Sequence, residues 1–324
     1  MRVLVSVGEH NFPRDVADSL SEVAEVVYHR PGEGDYWEAL GDADALVAGM
    51  ERIDGELLGR APRLRIVARF GVGYDNVDVE ACTRRGVYVT YTPDILSGAV
   101  ADLTWGLIIA LARRLIEADR FVRERWTLRR GRLPFGFDLE GKTLGIIGLG
   151  RIGSEVARRA QGFGVKVIYH DVVRKPELEE AYGAEYVSLQ ELLQRADIVT
   201  LHVPLLPSTE RLIGEEELQM MKSTAILINT SRGKVIDQKA LVKALKEGWI
   251  AGAALDVYEE EPIPLDDPLL RLENVVLTPH IGSATRETRR RMAEVCAQNV
   301  RAVLEGRRPP NLVPEQIGKP IIPP

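Results

Sequence analysis

Apolar residues in the first hundred positions fall into short β-rich runs: RVLVSV at 2–7, EVVYH at 25–29, ALVAGM at 45–50, RIVAR at 65–69 and YVTYT at 88–92. Polar, helix-compatible segments separate them, a rhythm that predicts βαβ units and a parallel sheet. The stretch 97–126, SGAVADLTWGLIIALARRLIEADRFVRERW, has no proline and predicts one long helix capped near Ser97. Its apolar residues surround much of the circumference, which implies burial on most sides. The loop 127–142 breaks that period with Pro and Gly. A second strand series follows: TLGIIG (143–148), KVIYHD (166–171), DIVTLHVP (197–204), AILINTS (225–231), GAALDV (252–257) and NVVLTPH (274–280). Helical segments such as 151–163 and 238–247 alternate with these strands. Several strands are apolar on both faces, as in a parallel sheet covered on both sides. A last amphipathic helix spans 283–308, and the Pro-rich tail from Pro309 is expected to be extended or loosely ordered.

With 324 residues the chain is long enough for two domains. Its net charge of −6 argues against a nucleic-acid partner, since phosphate tracking needs excess Lys and Arg. No apolar run approaches membrane-spanning length, and MRVLVSVGEH turns polar too soon for a secretory signal, so the expectation is a cytoplasmic protein. Cys82 and Cys296 form no CxxC pair and read as free thiols, with no metal site. The first lysine is Lys142, so cationic work before it falls to arginine, which suits carboxylate or phosphate recognition rather than proton transfer.

The glycine motif Gly148-x-Gly150-x-x-Gly153 follows a strand and opens a helix. In that context the three glycines serve a tight turn, a close approach to a pyrophosphate, and helix–strand packing. The helix start at Arg151 and Ile152 offers N–H groups and a positive dipole end. Asp171 closes the next strand, where a carboxylate accepts from the ribose hydroxyls and repels a 2′-phosphate. The cofactor expected is therefore NAD(H), with NADP(H) disfavoured, although Arg174 and Lys175 just beyond soften that preference.

Reduction of a carbonyl needs a proton donor, and a 2-oxo acid needs a cation for its carboxylate. In open α/β sheets such groups collect beyond the C-terminal strand ends. Three ends carry them: Arg232 in INTSRGKVID, Glu261 in AALDVYEEEP and His280 in VLTPHIGSAT. His10, His29, His170 and His202 lack such partners; His170 and His202 read as structural or cofactor-lining.

Together with GVGYDNVD and HVPLLPST, these blocks resemble the D-isomer-specific 2-hydroxyacid dehydrogenase family over essentially the whole chain. The resemblance implies two Rossmann-like or flavodoxin-like doubly wound parallel-sheet α/β domains with a cleft between them. A discontinuous substrate domain would comprise 1–98 and 286–324, and an NAD-binding domain 99–285. Arg232 would bind the substrate carboxylate, His280 would act as acid in reduction, and Glu261 would pair with His280, a carboxylate beside an imidazole favouring the charged ring. Val72 and Gly73 would hold the carboxylate from the front domain, with Met50 and Arg69 as further substrate contacts. Asp256 would face the nicotinamide amide; Thr104, His202, Val203, Pro204, Thr209, Thr230, Ser231 and Gly282 would line the cofactor.

The substrate implied is a small 2-oxo or 2-hydroxy acid. TPDILSGAVADLTWGL and ALVKALKEGWIAGAALDVYEEEP look closest to glyoxylate and hydroxypyruvate reductases. PLLPST and Arg69 are similar to 3-phosphoglycerate dehydrogenases, where an arginine at that point approaches the phosphate. Val72 stands where phosphite dehydrogenase, a relative, carries a lysine. The same fold also serves as a non-catalytic, corepressor-like NAD(H) sensor, a reading that loss of Arg, Glu or His would favour. A homodimer through the long helix is the expected assembly.

Overall fold

A computed structural model describes residues 1–128 and 130–322; Arg129 of the 127–142 loop and the last two residues of the tail lie outside it. The chain divides into two compact units, Met1–Leu96 with Ser283–Pro324, and Ser97–Gly282. The breaks fall at 96/97 and 282/283, where 98/99 and 285/286 were expected.

The first unit holds five parallel strands, β1 (Arg2–Val5), β2 (Glu25–Tyr28), β3 (Ala45–Ala48), β4 (Ile66–Arg69) and β5 (Tyr88–Thr90), in the order β2-β1-β3-β4-β5. Every residue of β3 and β4 is buried, as β-branched and small residues allow when both faces are covered. The helix Arg286–Leu304 belongs to this unit and starts at Thr285, whose side chain caps the Thr288 N–H.

The second unit has seven parallel strands: β6 (Thr143–Ile147), β7 (Lys166–His170), β8 (Glu185–Tyr186), β9 (Ile198–Leu201), β10 (Ile226–Asn229), β11 (Gly252–Leu255) and β12 (Val275–Leu277). They run β12-β11-β10-β9-β6-β7-β8. The alternation of side chains sorts them onto two cores. Leu144, Ile146, Ile198, Ile226, Ile228 and Ala254 pack with the helices Ser97–Ala112 and Arg151–Ala160. Ile147, Val199, Leu201, Leu227, Ala253 and Leu255 pack on the opposite face with Leu192, Leu218, Leu241 and Leu245. The two-residue β8, exposed at the edge, is too short to leave a hydrophobic signature in the sequence.

Two expectations are corrected. The segment 97–126 is not one helix: Ser97–Ala112 is followed by Arg114 in the left-handed region (φ 52°) and a second helix, Leu115–Glu124. The Ala112 carbonyl, which a continuous helix would bond to residue 116, accepts instead from the Phe137 N–H at 2.9 Å, so the incoming loop ends the helix. The first piece is buried as expected; the second buries no residue, and Leu115, Ile116 and Val122 are exposed.

The described part of the tail around 312–316 is held in place rather than loose. Leu312 bridges antiparallel to Thr90. Gln316 is fully buried beside edge strand β5, where its Oε1 accepts from Val89 N–H (2.8 Å). Its Nε2 donates to Thr83 Oγ1 (3.0 Å) and Val87 O (2.9 Å). A side chain thus supplies partners that an edge strand otherwise leaves to water. Gln316→Ala is expected to cost about 2–3 kcal/mol, three hydrogen bonds at about 1 kcal/mol each. Denaturant unfolding measures it, and a cost under about 0.5 kcal/mol would show that the tail is not held this way.

Candidate active site

Adjacent strands β10, β11 and β12 deliver three loops to one end of the sheet. After β10, the buried Asn229 shapes its own turn. Its Oδ1 accepts from Ser231 N–H (3.0 Å) and Oγ (2.9 Å), and its Nδ2 donates to Arg232 O (2.9 Å). Arg232 is half-buried, with Nη1 donating to Ser231 O at 2.8 Å. Gly233 then passes so close to the next loop that a Cβ would lie 1.8 Å from the Tyr258 carbonyl carbon. Only glycine permits that approach.

The loop after β11 is tied to the helix Gln238–Glu247 by a reciprocal pair: Gln238 N–H donates to Glu259 Oε1, and Glu259 N–H to Gln238 Oε1, both at 3.1 Å. Tyr258 N–H donates to Glu261 Oε1 at 3.0 Å. Its hydroxyl reaches Thr278 O on the third loop at 2.9 Å. Glu261 Oε2 meets His280 Nδ1 at 2.7 Å. With Nδ1–H directed at the carboxylate, Nε2 is the nitrogen left for proton exchange.

His280 sits in the left-handed region at φ 53°, a conformation that costs a non-glycine residue about 1–2 kcal/mol. Asp256 holds it there. The Asp256 carbonyl accepts from His280 N–H (2.9 Å), and its carboxylate accepts from Thr278 Oγ1 (2.6 Å), Ile281 N–H (2.8 Å) and Gly282 N–H (2.8 Å). Asp256 is 1% exposed, and burial pushes its carboxyl above the ordinary range in spite of these donors. The Asp256 carboxylate, expected to face the nicotinamide amide, also fixes the His280 loop.

Burial also works against the charge of Glu261. The hydrogen bond and charge of His280, the Tyr258 N–H and the charge of Arg232 outweigh it, and the carboxyl lies below its ordinary value. Arg232, on the loop after the adjacent strand, adds its positive charge to the groups that favour the Glu261 carboxylate.

The glycine loop fits a dinucleotide. Gly148 has φ 92°, and a Cβ there would lie 2.8 Å from His202 O; one on Gly153 would lie 2.1 Å from Gly148 O. Gly150 caps the helix Arg151–Ala160 with open space where a side chain would stand. The first intrahelical bond is Ser154 N–H to Gly150 O, so the amides of Arg151, Ile152 and Gly153 lie at the helix's positive end, a setting for phosphate. Asp171 follows β7 and accepts from Leu149 N–H at 2.8 Å, tying itself to the glycine loop. Arg174, read as a softener of the NAD preference, is bonded through Nε and Nη2 to the two oxygens of Glu179, each at 2.8 Å. That hydrogen bonding, with the Tyr169 hydroxyl, holds the Glu179 carboxyl at about 2.

Past β9, His202 Nε2 contacts Thr200 Oγ1 at 2.9 Å while its Nδ1 is buried without a partner, and burial pushes the ring down to about 3. It is a neutral imidazole near pH 7. Thr209 Oγ1 donates to Pro204 O and fixes the turn that carries Val203 and Pro204. Ser231 is set by Asn229. Thr104 is fully buried, its hydroxyl 3.0 Å from that of Thr230. Gly282 packs against Asp256 and Val100.

In the first unit, Met50 follows β3 and is half-exposed; Val72 and Gly73 follow β4 and are partly exposed. Arg69, read by likeness as approaching a phosphate, is 4% exposed. Asn229, Gly233 and Tyr258 escaped the sequence reading; only the Asn and Gly flanking TSR at a strand end hinted at the first two. Among the described residues no group of three or more His, Cys, Asp or Glu is placed to hold a metal ion, and none of the helices is long and apolar enough to cross a membrane.

Residues 105–282 match the family described as D-isomer specific 2-hydroxyacid dehydrogenase, NAD binding domain. A glyoxylate reductase of Korarchaeum cryptofilum is 56% identical over 285 residues, 87% of this chain and 86% of that protein. A crystal structure of a Thermus thermophilus protein is 46% identical with a TM-score of 0.88, covering 97% of this chain and 100% of its own. An NADPH-dependent glyoxylate/hydroxypyruvate reductase of Sinorhizobium meliloti, in complex with NADP and malonate, is 35% identical with a TM-score of 0.84, covering 97% of each chain.

Because the folded value of Glu261 is depressed, its charged form adds stability above the ordinary carboxyl value of 4.5, and that stability is lost as pH falls through the lowered folded value. Glu261→Gln is therefore expected to flatten the fall in unfolding free energy below about pH 4.5. Urea unfolding across pH 3–7 tests it; an unchanged acid limb would show that Glu261 does not supply this dependence.

Proposed function

The chain belongs to the D-isomer specific 2-hydroxyacid dehydrogenase family, and from that premise we propose that it is an NADH-dependent reductase of a small 2-oxo acid, glyoxylate or hydroxypyruvate. The observation that carries the reading is the 2.7 Å contact of Glu261 with His280 under the charge of Arg232. When bound, the nicotinamide supplies the hydride. Arg232 pairs with the substrate carboxylate and draws electron density from the carbonyl, and the His280 imidazolium gives its Nε2 proton to the carbonyl oxygen. Glu261 steadies the charged ring before transfer and holds its orientation afterwards. In the oxidative direction the neutral ring takes the hydroxyl proton.

Val72 and Gly73 are proposed to receive the substrate carboxylate with backbone amides. The choice of glyoxylate or hydroxypyruvate is supported by the archaeal relative and by the burial of Arg69, which keeps that guanidinium from reaching out to a phosphate. Oxidation of 3-phosphoglycerate is the second reading, motivated by the RFGVGYDNVD block. Retention of all three catalytic groups favours turnover over cofactor sensing. Asp171 supports NAD(H) over NADP(H). The exposed apolar residues Leu115, Ile116, Val122, Trp126 and Leu128 support a homodimer through this segment, and the cytosol stays the proposed location on the strength of the sequence.

His280→Ala is expected to lower kcat by about 10²–10⁴-fold while the NADH dissociation constant stays within about twofold. Steady-state assays and fluorescence titration read the two; retained turnover would remove His280 from the chemistry. Across a substrate panel, glyoxylate and hydroxypyruvate are expected to lead, and a preference for 3-phosphoglycerate above about tenfold would reverse the order. Asp171→Ala is expected to narrow the preference for NADH over NADPH by about tenfold, read by titration with each cofactor.

A further inference from the structure

Arg69 ends β4, and among the described residues no other arginine is buried. Its Nη1 donates to Phe70 O (2.6 Å), its Nε to Asn76 Oδ1 (3.2 Å) and its Nη2 to Met50 Sδ (2.9 Å). Asn76 passes the connection on: its Nδ2 donates to Gly49 O (3.3 Å) and Glu51 O (2.7 Å), and its carbonyl accepts from Ile53 N–H (2.9 Å). Two side chains therefore tie the loop after β3, 49–53, to the loop after β4, 70–76. These are the loops that carry Met50, Val72 and Gly73.

Gly71 shows how tight the arrangement is. A Cβ there would lie 2.8 Å from Arg69 Nη1 and 3.0 Å from its Cζ. An exposed guanidinium would swing aside, but this one is buried and bonded on three sides. From the other flank Thr92 N–H donates to Gly71 O (2.9 Å), and the Arg289 guanidinium lies over the Phe70 ring, 5.5 Å from its centroid. The Phe70–Gly73 backbone is thus clamped, with fixed positive charge beside it.

We propose that Arg69 is a positioning residue: with Asn76 it sets the conformation of the Phe70–Gly73 loop and places a non-titrating cation behind it, raising affinity for the carboxylate of a small 2-oxo acid. The inference rests on the assignment of Val72 and Gly73 as carboxylate receivers. It gives Arg69 no contact with substrate, which separates it from the phosphate-gripping arginine that 3-phosphoglycerate oxidation would require. Gly71 is its necessary companion, since the guanidinium occupies the space of a side chain there.

In the full-length chain with NADH, Arg69→Gln is expected to raise the KM for glyoxylate by about tenfold or more, with kcat within about threefold and NADH affinity unchanged. Gly71→Ala acts in the same direction. The double variant Arg69→Gln/Gly71→Ala is expected to lose less than the two single losses combined, because the guanidinium that the methyl strikes is gone. Amide hydrogen exchange in Arg69→Gln is expected to quicken at 49–53 and 70–76 and to stay unchanged in the helix Gln238–Glu247, whether or not the chain reduces any 2-oxo acid. An unaltered KM, unaltered exchange or strictly additive variants would overturn the proposal. So would selective loss of 3-phosphoglycerate turnover in Arg69→Gln, which would put the guanidinium on a phosphate. A wild-type chain that turns over no 2-oxo acid yet shows the exchange pattern would remove the functional reading and leave the hold of Arg69 on both loops standing.

Discussion

The candidate site depends on a carboxylate that burial disfavours. Asp256 is almost wholly out of water, and its presence there is tolerable only because Thr278, Ile281 and Gly282 all donate to it. Those donors lie on either side of His280. The same residue's carbonyl takes the His280 N–H, so the loop cannot relax without stranding a buried acid. The left-handed backbone of His280 is strained, and this network holds the strain where the imidazole meets Glu261.

That geometry is inherited from the sheet. Parallel pairing of β10, β11 and β12 brings three C-terminal ends to one end of the sheet; β10 and β11 are buried on both faces, and the half-buried edge strand β12 is held in register by its pairing with β11. The loops are then fastened to each other as well as to their strands. Gly233 lets the Arg232 loop touch the backbone at Tyr258, and Tyr258 reaches both Glu261 and Thr278. Arginine, glutamate and histidine come from separate segments, yet none is positioned by its own loop alone.

The strands of both units were legible because period-two burial on two covered faces leaves near-continuous apolar runs, and β8 was missed because two exposed residues carry no period. The candidate reactive groups were proposed at strand ends because hydride chemistry requires a cation and a proton donor there, and the structure brings Glu261 and His280 together. What could not be read was long-range satisfaction of polar groups. Nothing near Ala112 in the sequence announces that Phe137 takes its carbonyl and ends the helix, and nothing in the tail announces that Gln316 completes an edge strand. Asp256 shows the same gap: its position was evident, but its three donors lie more than twenty residues away.

Arg69 and Arg232 show why residue type at a strand end does not settle role. Both stand at or just past a C-terminal strand end, where a guanidinium is expected to meet an anionic ligand. Arg232 is half-buried, its Nη1 turned back onto the neighbouring Ser231 carbonyl, and its charge is felt by Glu261. Arg69 is buried and commits Nε, Nη1 and Nη2 to Asn76, Phe70 and Met50. Extracting it to meet a phosphate would break those bonds and open the space beneath Gly71, a cost that ligand binding would have to exceed. The side chain proposed to grip a ligand at one strand end therefore acts at the other as part of the frame, and burial decides between the two.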